Sequence, residues 1–161
     1  MSKIKVLIPI YNDWKSAFKL LEDIDLHVND LNHEFSVIIV NDCSTEERPI
    51  NDFNFNNLKS IKILNMKKNK GHARCNASGL RYIAEHEYYD YIIPMDGDGE
   101  DRVEEITLLV DRANDYPDKV ITANRVKRSE GFFFKLCYLL HKYLTFVFTG
   151  QSIKFGNFIC L

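Results

Sequence analysis

The chain has 161 residues, 45% apolar and 27% charged, which is enough for a single domain over 1–161 with its own core. A net charge of −2 gives no overall attraction to nucleic acid or to an anionic bilayer, so nucleic acid is not expected as a partner and any membrane contact must come from a local cluster. The four cysteines (Cys43, Cys75, Cys137, Cys160) lie far apart with no C-x-x-C pair, which excludes zinc spacing, argues against a disulfide framework and fits a reducing cytoplasm.

In chain order, "IKVLIPI" (4–10) is a β-branched apolar run stopped by "YND", which predicts a buried strand; it is too short for a signal peptide. Residues 13–28 carry Trp14, Ala17, Phe18, Leu21, Ile24 and Val28 at helical spacing, with Asp13 available as N-cap. "FSVIIVND" (35–42) reads as a second buried strand, "NDFNFNN" (51–57) as a connector, and "SIKILNM" (60–66) as a third, more exposed strand. "GHARCNASGLRYIAEH" (71–86) is a helix, "YDYIIPMD" (89–96) a strand, 102–116 a helix and "KVITAN" (119–124) another strand. An aromatic helix over 132–149 stops at Gly150. The last residues, "SIKFGNFICL", are strand-like and apolar with no polar tail, which reads as a fragment or minimal version of something longer.

Strands alternating with helices predict an α/β fold: a mostly parallel sheet with helices on both faces. Ligands of such sheets bind at the carboxyl ends of the strands. The polar turns "YND", "NDCST", "DGDGED" and "NRVKR" are therefore expected to meet along one edge.

The turn "DGDGED" is the most informative of them. Four acidic side chains, Asp96, Asp98, Glu100 and Asp101, follow an apolar strand, and carboxylates this close repel one another unless a positive group sits among them. One reading is a solvated turn whose last acids cap the next helix. An EF-hand is excluded, because the twelfth position from Asp96 is Thr107 and not Glu. The other reading places Asp96 and Asp98 in the strand-end crevice as a hard-oxygen site for Mg²⁺ or Mn²⁺, with Gly97 and Gly99 letting the backbone approach a ligand.

"VLIPIYND", "VIIVNDCSTEE", "NKGHARCNASGL" and "IIPMDGDGEDRVEEI" together resemble the successive motifs of family 2 glycosyltransferases, which share the GT-A fold. The similarity is greatest to the dolichol-phosphate-mannose-synthase-like branch and runs from residue 4 to about 158. The resemblance implies a nucleotide-diphospho-sugar donor and an inverting, metal-dependent hexosyltransferase. It puts Pro9, Tyr11 and Asp13 (often Glu in relatives) around the base and ribose, and Val40 and Asp42 at the base, the Asp42 carboxylate accepting from a ring N–H. It puts Gly71, Ala73 and Asn76 near the nucleotide, and of the basic residues beside them Arg74 is the expected charge partner. Asp96, Gly97 and Asp98 become the D-x-D that holds the cation, and Glu100, often Gln in the synthases, becomes a third metal carboxylate. Arg125, together with Arg128, would meet the phosphates, with Asp98 acting alongside them in catalysis. Asp101 is a candidate general base by proximity alone.

Plain readings stand beside these. Pro9 and Tyr11 also suit a strand exit, Asp42 with Ser44 and Thr45 a capped turn, and Lys67, Lys68 and Lys70 a solvated surface. The 132–149 helix places Lys135, Tyr138, Lys142, Thr145 and Thr149 on one stripe and apolar residues elsewhere. Lys135, His141 and Lys142 argue against a transmembrane span, leaving core completion, a contact with further C-terminal helices, or a peripheral membrane contact on the cytoplasmic side, the last consistent with a lipid-linked acceptor. Two rival enzymes lack their motifs: a pyrophosphorylase needs a Gly-rich N-terminal loop, and a dinucleotide oxidoreductase needs G-x-G-x-x-G after the first strand. A non-catalytic donor-binding fragment remains as an alternative.

Overall fold

A computed structural model describes residues 1–49, 55–99, 101–123, 132–150 and 158–161. Strands β1 (Lys3–Ile10), β2 (Glu34–Asn41), β3 (Leu58–Asn65) and β4 (Tyr91–Pro94) form one sheet in the order β3-β2-β1-β4, every pair parallel. The continuous apolar runs explain the order. From Ile4 to Ile10 and from Phe35 to Asn41 every residue is buried, as central strands covered on both faces must be. β3 at the edge is mostly half-buried, with Lys59, Lys62 and Asn65 exposed.

Helix α1 (Trp14–His27, followed by a 3-10 turn Val28–Asp30) and helix α3 (Glu105–Asp115) share one face of the sheet, joined by His27 Nε2 and Thr107 Oγ1 at 3.0 Å. Helix α2 (His72–His86) covers the other face, where Cys75 and Ile83 pack with Leu7, Ile38, Val40 and Ile92. Each such aliphatic side chain contributes roughly 1.5–3 kcal/mol on burial. The contact is close because of Gly79. A Cβ there would lie 2.4 Å from Leu7 Cδ1 and 2.8 Å from Val40 Cγ2, so no other residue lets α2 sit this near the sheet.

Several boundaries differ from the sequence expectation. α3 begins at Glu105, not 102, because Arg102–Glu104 first turn: Glu105 N–H donates to Arg102 O and Ile106 N–H to Val103 O, each at 3.0 Å. The strand expected over 119–124 shrinks to β5 (Ile121–Thr122), since Lys119 N–H is used in a turn to Tyr116 O. β5 pairs with β6 (Ile159–Cys160) as a two-stranded sheet.

The chain gathers into two compact units. The first comprises Met1–Ile121 with Phe158–Leu161, and it holds the sheet and α1–α3. Phe158 and Cys160 are buried in it. Leu161 exchanges two hydrogen bonds with Ile92 (3.0 and 2.9 Å), an antiparallel pair beside β4. The second unit, Thr122–Asn157, contains α4 (Phe132–Thr149), whose last turn closes through Gly150 N–H to Phe146 O. Leu139, Leu140, Tyr143, Phe146, Val147 and Phe148 of α4 are exposed. Among the described residues, no helix is long and apolar enough to cross a membrane.

Candidate functional site

The ladders run one residue past the strands and fix where the polar turns emerge. Asp42 N–H donates to Ile10 O (2.8 Å) and Met95 N–H to Leu7 O (2.9 Å). With Pro9 beside Val40 and Leu7 beside Pro94, Asp42 and Asp96 leave the sheet on either side of the end of β1. Strands β2 and β4 flank β1, so these two residues start about 10 Å apart, twice the interstrand spacing.

The first two turns are stitched together by a residue that sequence reasoning passed over. Asn12 takes a left-handed backbone (φ 54°), which Asn tolerates better than most residues. Its Oδ1 accepts from Thr45 N–H and Glu46 N–H (2.8 and 3.1 Å), its Nδ2 donates to Thr45 Oγ1, and its own N–H donates to Ser44 Oγ (both 2.9 Å). Trp14 Nε1 adds a bond to Glu46 O at 3.2 Å. The signal available in sequence was an Asn immediately after a strand. Tyr11, next to it, is left exposed. Asp13 occupies the N-cap position of α1 but makes no capping hydrogen bond, so the expected cap does not form.

Asp42 is buried, and both its oxygens are engaged: Oδ1 accepts Lys70 N–H (2.8 Å) and Oδ2 accepts Gly71 N–H (2.7 Å). This ties the end of β2 to the start of α2. A carboxylate has about four acceptor sites, so two remain after these bonds. Val40 is wholly buried under α2, where its carbonyl accepts the Cys75 thiol at 3.2 Å; its side chain belongs to the core and faces no open cleft. Pro9 is likewise buried in β1. Burial, with Asp42 nearby as the second cause, pushes the Cys75 thiol up to about 11, and burial does the same for Cys160, so neither is a nucleophile near neutrality.

The acidic turn is held from inside. Asp101, considered above as a base, is buried, and its Oδ2 accepts Asp96 N–H at 2.9 Å, which folds the turn back on itself. Gly97 makes its close approach to β1 and not to an open face: a Cβ would lie 3.2 Å from Pro9 O and 3.3 Å from Ile10 Cγ2. Asp96 is partly exposed, with Oδ1 3.4 Å from His72 Nε2 at the first residue of α2. Asp98 is exposed and borders a cavity of about 970 Å³ between α1 and the start of α3, which Lys19, Asp23 and His27 also line. Arg74 is exposed on the first turn of α2, and Asn76 sits one turn behind His72. Glu100, Arg125, Lys127 and Arg128 lie outside the described residues.

Among the described residues no three His, Cys, Asp or Glu side chains form a preformed cation cage. The donor set still fits Mg²⁺ or Mn²⁺, because such ions are commonly held by one or two carboxylates while water and phosphate oxygens fill the other positions. Exposed Asp98 and half-exposed Asp96 are oxygen donors of that kind.

Comparison with known proteins agrees with this architecture. The sequence model of "Glycosyl transferase family 2" matches residues 5–158. The chain is 24% identical over 163 residues to the undecaprenyl-phosphate 4-deoxy-4-formamido-L-arabinose transferase of Klebsiella pneumoniae (strain 342), spanning 100% of this chain and 48% of that protein. The chain thus spans about half the length of this curated relative. In structure it is similar to the mannosyltransferase PcManGT of Pyrobaculum calidifontis, solved with GDP-Man and Mn²⁺ (TM-score 0.61, 16% identity, 99% of this chain and 44% of that one). It is also similar to residues 1–349 of S. aureus TarS (TM-score 0.59, 21% identity, 80% and 38%). The neighbours establish the GT-A fold, and with the family match extending over nearly the whole sequence, the chain belongs to glycosyl transferase family 2.

Proposed function

We propose that this chain binds a nucleotide-diphospho-sugar along the carboxyl edge of its sheet and transfers the sugar, with inversion, to an acceptor in a reaction that depends on Mg²⁺ or Mn²⁺. The observation that carries the reading is the emergence of Asp42 and Asp96 on either side of the end of β1, next to the start of α2. Base and ribose fit Tyr11, Asp13 and the remaining acceptor capacity of Asp42; Pro9 and Val40 are buried in the strands that carry these turns and would contribute through the backbone they position. The first turn of α2, from Gly71, favours an anion by its dipole, and exposed Arg74 adds positive charge.

Asp96, Asp98 and Glu100 are the residues that would hold the cation; when bound, it supplies charge neutralisation at the leaving diphosphate. Arg125 and Arg128 suit the same diphosphate, since guanidinium groups pair with phosphate oxygens in two-pronged fashion. An acceptor that is already an anion, such as a lipid phosphate, needs no general base, whereas a hydroxyl acceptor does. Asp101 is a poor base because its Oδ2 is committed to Asp96 N–H. The lipid-phosphate acceptor is favoured on two grounds. One is the undecaprenyl-phosphate named for the Klebsiella relative; the other is the exposed apolar surface of α4, which suits a peripheral membrane contact. Flotation with liposomes tests that contact: recovery of the protein with the lipid is expected, and recovery wholly in the soluble fraction counts against it.

The decisive test is a thermal-shift panel of nucleoside diphosphates and sugar nucleotides with and without Mn²⁺. A ligand that binds the native state raises Tm by mass action. The expected result is a metal-requiring response to one nucleoside diphosphate that disappears in Asp98→Ala. A response indifferent to metal and to that substitution overturns the reading.

A further inference from the structure

We infer that His72 is a positioning residue for Asp96, and that Asn76 in turn sets its ring; this rests on the cation-dependent donor reading above. His72 is the first residue of α2, and its Nε2 lies 3.4 Å from Asp96 Oδ1 and 2.7 Å from the Asn76 amide one turn later. Both His72 and Asp96 are partly open to solvent, at 59% and 40% side-chain exposure, so their contact is not forced by core packing.

The hydrogen-bond pattern shows which way the ring is used. With the Asn76 amide nitrogen against Nε2, the ring nitrogen is an acceptor facing a carboxylate oxygen, and Asn76 Oδ1 is buried with no partner. Turned over, the amide presents Oδ1 to Nε2–H, with Asp96 Oδ1 3.4 Å from the same nitrogen as a second acceptor. Amide orientation and ring tautomer are decided by such networks, and this arrangement replaces a repulsive contact with an attractive one.

Asp96 is thus held from two sides. Asp101 fixes its backbone N–H, and His72 aims its carboxylate. Partners that orient a metal-binding carboxylate without touching the metal commonly change metal affinity by about 10–100-fold when removed.

The test is Mn²⁺ binding to the full chain, read by the loss of the free-ion EPR signal in the presence of a nucleoside diphosphate. Wild type is compared with His72→Ala and His72→Gln, alongside Tm and metal-free nucleotide affinity. The proposal expects His72→Ala to weaken Mn²⁺ by about 10-fold or more at unchanged Tm and unchanged metal-free nucleotide affinity. His72→Gln, whose amide can donate to Asp96, should restore most of the loss. Unchanged Mn²⁺ affinity in His72→Ala, or equal losses in both variants, overturns it. Failure of wild type to bind Mn²⁺ at all overturns the donor-site reading itself, a different outcome.

Discussion

The two ends of the sheet treat charge in opposite ways. At the amino end, Glu87 closes against two lysines: Lys5 Nζ lies 3.1 Å from Oε2, and Lys62 Nζ bonds Oε1. Asp25, at the same end, is buried and spends its carboxylate on the backbone N–H groups of Asn56, Asn57 and Leu58 (3.2, 2.8 and 2.9 Å), which fixes the entry to β3. At the carboxyl end Asp96 faces an imidazole at 3.4 Å, and Asp98 stands exposed beside a cavity. One end neutralises its anions with its own groups. The other leaves Asp96 and Asp98 partly or largely open to solvent at the strand ends. Asp42 belongs to both descriptions, since it is buried and bonded yet sits at the open edge.

The contrast can be broken most severely at Asp25. Asp25→Ala removes the acceptor of three backbone N–H groups, of which that of Leu58 is buried and those of Asn56 and Asn57 part-buried. A buried N–H left unpaired costs about 1–3 kcal/mol and the other two add less, so a loss of about 3 kcal/mol is expected in denaturant unfolding. Asp25→Asn, which keeps one acceptor oxygen, should lose less. A loss below about 1 kcal/mol in Asp25→Ala would show that the clamp is ornamental.

Glu87 gives a smaller effect with a defined pH dependence. The hydrogen bond from Lys62, followed by that from Lys5, holds its carboxyl below the usual range despite the opposing effect of burial. A depressed folded value means the stabilisation is present above the unfolded value of about 4.3 and disappears as pH falls through the folded one. Glu87→Gln should therefore destabilise the protein at pH 7 by about 2 kcal/mol. That is less than the roughly 3–5 kcal/mol of a fully buried pair, because Lys62 is half exposed. Wild type and variant should converge as pH falls below the depressed folded value. Parallel curves across that range would contradict the assignment.

The smallest stability change is expected at the open end. Asp98→Ala should alter unfolding by no more than about 0.5 kcal/mol, while eliminating the metal-dependent ligand response. A large stability loss would move Asp98 to the structural side of the comparison.

This division also marks what could be read from sequence. Strands β1 and β2 and helices α1 and α2 were legible because burial writes a period into the chain: unbroken β-branched runs for strands covered on both faces, and steps of three and four for the helices. That "YND", "NDCST" and "DGDGED" leave the same edge of the sheet followed from the parallel connection alone, while "NRVKR" lies outside the described residues. The devices that shape the site were not legible. Asn12 to Glu46 and His72 to Asp96 are contacts 34 and 24 positions apart, and no periodicity announces them; the same holds for the Asp25 clamp on the Leu58 backbone at the other end of the sheet. Val40 shows the converse: its position in the motif resembles that of a ligand residue, yet a wholly apolar side chain in a strand beneath Gly79 goes into the core.

The central claim is that the carboxyl-end acids serve a cation and a diphosphate. Crystals grown or soaked with Mn²⁺ and a nucleoside diphosphate test it most directly. The account predicts a metal ion about 2.1 Å from an oxygen of Asp96 or Asp98, with diphosphate oxygens completing its coordination. Both carboxylates turned into solvent, with nucleotide absent from the strand ends, would contradict it.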